Sequence, residues 1–66
     1  MPEIHVYAAE GRTPEQKRQL VKEITATVVR IFSVPAEFVV VQIIEAPKNL
    51  KARAGVLFSE QPPPKA

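Results

Sequence analysis

The run Phe38-Val39-Val40-Val41-Gln42-Ile43-Ile44 limits the folds open to this chain more than any other stretch. It is β-branched and almost continuously apolar, the pattern of a strand covered on both faces, as in a parallel sheet or at a subunit interface. A second, shorter strand is predicted over Glu3–Ala9. There Ile4, Val6 and Ala8 point one way while His5, Tyr7 and Ala9 point the other. Between the two lies a marked helix. Thr13 is its N-cap, Pro14 its first residue, and Gln16 completes a capping box. Leu20, Ile24, Val28 and Ile31 recur at helical spacing, with Val21 and Phe32 widening the stripe. Pro35 ends the helix near Phe32 or Ser33, because the residue before a proline avoids the α region. Strand, helix, strand is a β-α-β unit, and a right-handed crossover makes its strands parallel. The fold class is therefore α/β (α+β).

One helix covers only one face of a two-stranded sheet. The chain has 66 residues and no cysteine, so neither a second domain nor a disulfide can complete the core. Its 45% apolar content is nevertheless that of an ordinary globular protein. A further copy of the chain is the remaining way to bury the other face, and an oligomer is expected. Residues 2–59 make up the domain. Within it Glu45–Ala54 reads as a loop broken by Pro47 and Asn49, and 55–59 as a short strand or hairpin arm that adds to a neighbouring subunit. Residues 60–66, with three consecutive prolines, read as a flexible Pro-rich tail.

Charge excludes some partners. The net charge is +2, and its cations are dispersed. Lys17, Arg18, Lys22 and Arg30 alternate with Glu15 and Glu23 along the helix, as on a solvated face, and Lys48, Lys51 and Arg53 lie in the loop. A nucleic-acid surface concentrates its cations or interleaves them with aromatics. No run is long and apolar enough for a membrane span, and no signal peptide is recognisable, so a soluble cytoplasmic protein is expected. The single histidine, His5, has no His/Asp/Glu cluster around it and reads as a surface or subunit-contact residue rather than a metal ligand.

Pro2 is the candidate for chemistry. Removal of Met1 would expose a secondary amine with an ordinary pKa of roughly 8. Apolar surroundings or nearby cations disfavour its charged form. It then serves as a general base or nucleophile at neutral pH. Taken alone, Pro2 implies only that Met1 is clipped.

The surrounding residues carry more. Met1-Pro2, the stretch Glu10-Gly11-Arg12-Thr13 with Glu15-Gln16-Lys17 and Leu20, then Ile24-Thr25, Pro35, Ile43-Ile44-Glu45, Pro47-Lys48 and Gly55 together resemble the tautomerase superfamily. The likeness is to the small subunits of the 4-oxalocrotonate tautomerase group, over residues 2 to 59 without a gap. The resemblance implies β-α-β protomers assembled as a trimer of dimers, a hexamer. It implies an isomerase in which Pro2 is the general base for keto-enol conversion of unsaturated 2-keto acids, as in the breakdown of aromatic compounds. Arginines, some from neighbouring subunits, hold the substrate carboxylates. Arg12 matches one of them, and a guanidinium fork suits a carboxylate. Otherwise Arg12 is a surface turn residue paired with Glu15. No cofactor or metal is implied.

Two positions depart from that pattern. The second arginine of the tautomerase, on the second strand, is Val40 here, and valine cannot stabilise a developing dienolate. A pocket aromatic in the loop is replaced by Lys51, with Arg53 two residues on. Lys51 and Arg53 either reach the pocket and replace the missing charge or are solvated loop residues. Three readings follow. The chain is a homo-oligomeric tautomerase, or a superfamily hydratase or dehalogenase, or one subunit of a hetero-oligomer with a related chain supplying the missing arginine. The second needs a water-activating acid, for which Glu45 is poorly placed.

Overall fold

The computed structural model describes residues 1–61. It contains β1 (Glu3–Ala9), α1 (Pro14–Phe32), β2 (Val40–Ala46), β3 (Ala52–Arg53) and β4 (Val56–Leu57). β1 and β2 pair in parallel, from Glu3 opposite Val40 to Ala9 opposite Ala46. At one end of this sheet the Val40 N–H donates to the Pro2 carbonyl at 3.0 Å. At the other the Glu10 N–H donates to the Ala46 carbonyl, also at 3.0 Å. The β-α-β unit with parallel strands is the architecture expected.

α1 starts as its sequence dictates. Thr13 Oγ1 accepts from the Gln16 N–H at 3.1 Å, and Gln16 Oε1 accepts from the Thr13 N–H at 3.0 Å. The helix ends at Ser33, a C-cap in the left-handed region with φ 55°. The covered face differs from the predicted stripe. Lys17, Val21, Ile24, Thr25, Val28 and Val29 are half-buried, whereas Ile31 and Phe32 remain 61% and 62% exposed. The reason is length. A helix of this size runs about 28 Å, and a seven-residue strand about 23 Å, so the last helical turn overhangs the sheet.

β2 begins at Val40 rather than Phe38. A 3-10 turn over Ala36–Phe38 takes the preceding donors: the Phe38 N–H bonds to the Pro35 carbonyl and the Val39 N–H to that of Ala36, both at 3.0 Å. The expected loop after β2 is also more ordered than predicted. A 3-10 turn (Lys48–Leu50) leads into the antiparallel β3–β4 hairpin. Ala54 and Gly55 connect its strands with φ of 53° and 79°. Positive φ at both central residues is the type I′ arrangement, which matches the twist of the strands. The hairpin is fastened by the Phe58 N–H on the Lys51 carbonyl at 2.7 Å and by Gln61 Nε2 on the Val56 carbonyl at 3.0 Å. Glu60 and Gln61 thus lie in and just after the 3-10 turn Phe58–Glu60. The rest of the expected tail, 62–66, lies outside the described residues.

No described side chain is fully buried in the single chain. The radius of gyration is 15.1 Å, against about 11 Å for a compact domain of this length. Tyr7 is 71% exposed on the open face of the sheet and Leu50 is 74% exposed before the hairpin. Among the described residues, no helix is long and apolar enough to cross a membrane.

Candidate active site

Gly11, with φ 126°, turns the chain from β1 into the N-cap of α1, a conformation that glycine adopts without strain. This turn sets Arg12 beside the first turns of the helix. An open cavity of about 270 Å³ lies between those turns and the covered face of the sheet. Val6, Ala8, Leu20 and Ile43 form its apolar lining; Arg12, Gln16, Lys17 and Glu45 are its polar residues. Lys17 Nζ donates to Glu45 Oε1 at 2.5 Å, so these two charges neutralise one another. Arg12 has no ion pair among the described residues, and the alternative pairing with Glu15 does not form. The cavity therefore offers one uncommitted cation over an apolar floor, an arrangement able to hold a carboxylate attached to a hydrocarbon chain.

Pro2 is half-buried at the opposite end of β1. A strand of seven residues separates the two ends by about 23 Å. Pro2 and Arg12 of one protomer thus cannot meet on one small molecule. The Pro2 end of the sheet carries Val40 and Phe38 beside the Glu3–His5 pair. Val40 is bonded to Pro2 through its backbone, and Phe38 lies just before it in the 3-10 turn that follows α1. His5, on the open face, bonds through Nε2 to Glu3 Oε2 at 2.5 Å. Among the described residues no group of His, Cys, Asp and Glu could hold a metal ion.

Lys51 and Arg53 lie on the hairpin segment, away from the cavity of Arg12. Lys51 is half-buried, and the Arg53 guanidinium stacks 5.2 Å from the centroid of the Phe58 ring. One protomer therefore brings Arg12 together with none of Pro2, Lys51 and Arg53. Lys17 corrects the sequence-based expectation of a solvated helix face. Its spacing to Val21, Ile24 and Val28 is that of the covered stripe, a signal outweighed by its charge. Gln16 reads in sequence only as a cap, yet it also lines the cavity.

The family model described as tautomerase enzyme matches residues 2–61. A probable tautomerase of Bradyrhizobium diazoefficiens is 48% identical over 61 residues, covering 92% of this chain and 91% of that one. The 2-hydroxymuconate tautomerase of Bacillus subtilis is 42% identical over 60 residues, covering 91% and 97%. Among solved structures, a 4-oxalocrotonate tautomerase homologue superposes with a TM-score of 0.89 at 38% identity, covering 96% of this chain and all of that one. A heterohexamer 4-oxalocrotonate tautomerase from Chloroflexus aurantiacus gives 0.83 at 30% identity, covering 91% and 97%. With a family match over nearly its whole length and the β-α-β fold of those structures, this chain belongs to the tautomerase family, in its 4-oxalocrotonate tautomerase-like branch.

Proposed function

We propose that the protein is an isomerase that interconverts enol and keto forms of unsaturated 2-keto acids. Its working unit is residues 2–59, with Pro2 as general base once Met1 is removed and Arg12 as carboxylate anchor. The Pro2 nitrogen takes the proton of the enol hydroxyl as the C=O bond forms, then returns a proton to a carbon of the conjugated chain. Nothing is oxidised or reduced. The observation that carries this reading is Arg12, a guanidinium without an ionic partner among the described residues, in an apolar-floored cavity of a tautomerase-family chain. The strand length between Pro2 and Arg12 supports an arrangement in which the two act from different copies. The unburied faces of the protomer are consistent with such an assembly, and we propose a hexamer.

Val40 favours a second reading, in which this chain is one subunit of a hetero-oligomer and a related chain supplies a cation beside Pro2. One of the structural neighbours is itself a heterohexamer. In either assembly Lys51 and Arg53 are candidates to supply charge from the hairpin. A hydratase or dehalogenase is disfavoured, because the Glu45 carboxylate is already engaged by Lys17.

The test is ketonisation of 2-hydroxymuconate by the purified chain beside Pro2→Ala, with intact mass establishing loss of Met1. Turnover by the wild type, reduced at least a hundredfold in the variant, supports Pro2 as the base. A folded, processed and inactive wild type refutes the homo-oligomeric reading, and turnover restored by a related chain would establish the hetero-oligomer.

A further inference from the structure

We propose that Gln16 is a second carboxylate-binding residue, acting beside Arg12 through its side-chain amide. The inference rests on the isomerase reading above and identifies how that site grips its acid. The capping box determines which way the amide faces. The Thr13 backbone N–H is a donor, so the Gln16 atom 3.0 Å from it must be the oxygen, Oε1. This leaves the Nε2 group, with its two donors, as the free end. It has no partner among the described residues, and it belongs to a side chain that lines the same cavity as Arg12. The other polar groups there, Lys17 and Glu45, are committed to each other. Apart from the remaining donors of the ion-paired Lys17, the groups available to an incoming carboxylate are thus the Arg12 fork and the Gln16 amide. The cap restrains the amide before substrate arrives, so little rotamer freedom is lost on binding.

A single substitution separates this role from the structural one. Gln16→Glu keeps an oxygen for the Thr13 N–H, and glutamate is a favoured residue at this position of a capping box. It also replaces the free amide with a second carboxylate oxygen, which would repel an acid held by Arg12. Three variants should be compared with the wild type: Gln16→Glu, Gln16→Ala, and Arg18→Gln, which makes the same change in net charge at an exposed helix position. The readouts are KM and kcat for 2-hydroxymuconate, the inhibition constant for adipate as an unreactive dicarboxylate, thermal shift with adipate, and melting temperature.

The proposal predicts that Gln16→Glu raises KM and the adipate constant about tenfold or more, the scale of a lost hydrogen bond to a charged group. Its kcat stays within about twofold and its melting temperature does not fall. Gln16→Ala weakens binding less but melts lower, having lost the cap. Arg18→Gln binds as the wild type. The proposal is overturned if Gln16→Glu binds adipate as the wild type does, or if Arg18→Gln weakens binding equally. If the wild type shows no turnover, the homo-oligomeric isomerase reading fails, while the adipate thermal shifts still decide the role of Gln16.

Discussion

Val40 donates its backbone N–H to the Pro2 carbonyl and lies opposite Glu3, on the open face of the sheet. Residue 40 is therefore next to the proposed base, and an apolar side chain there leaves charge developing near Pro2 without a local cation. Val40→Arg should raise kcat on 2-hydroxymuconate about tenfold or more, since preorganised donors at a developing oxyanion have effects of that order or larger. Steady-state kinetics beside light scattering, to verify an intact assembly, would check it. Unchanged kcat in an intact assembly would mean that charge is already supplied from elsewhere, with Arg53 and Lys51 the next residues to remove. The residue type and position of Pro2 are legible in the sequence. Its distance from Arg12 follows from the strand predicted over Glu3–Ala9, whereas which residues of β2 lie beside it is shown only by the strand pairing.

The elements follow local rules closely. The N-cap, Pro14 and Gln16 start α1 as their side-chain chemistry requires, and Pro35 ensures that it ends. The β3–β4 hairpin was only partly legible. Ala54-Gly55 is a poor turn signal, because alanine rarely adopts the φ of 53° found here. Asparagine tolerates that conformation and leads glycine in type I′ turns. Ala54→Asn should therefore stabilise the protein by about 0.5–1 kcal/mol, measured as a rise in the midpoint of chemical denaturation. A fall would show that Ala54 packs against a neighbouring subunit.

On the scale of the whole molecule, the single chain leaves Tyr7, Ile31, Phe32, Phe38 and Leu50 largely exposed and buries none of the described side chains completely. A protein of this size with so little interior gains stability from association, and its melting temperature must then depend on concentration. A hundredfold increase in protein concentration should raise it by several degrees, in line with about 2.7 kcal/mol of mass action, as followed by calorimetry. A concentration-independent melt over that range would show that the protomer is stable alone or that the assembly does not dissociate on unfolding. Activity is expected to disappear with dissociation, because in the proposed mechanism Arg12 and Pro2 act from different copies.

The sequence by itself determined the order and type of the main elements, since capping, proline placement and β-branched runs act over a few residues. It also carried the family, through Pro2 and the stretch from Glu10 to Leu20. Tertiary structure decided everything that depends on what lies across a gap. The overhang of α1 past a shorter sheet selects which helix residues are covered. The 3-10 turn at Ala36–Phe38 sets where β2 begins. On the covered face Lys17 meets Glu45, a residue 28 positions away, which balances its charge there. These outcomes are settled by distances between elements, which residue type and spacing along the chain do not encode directly.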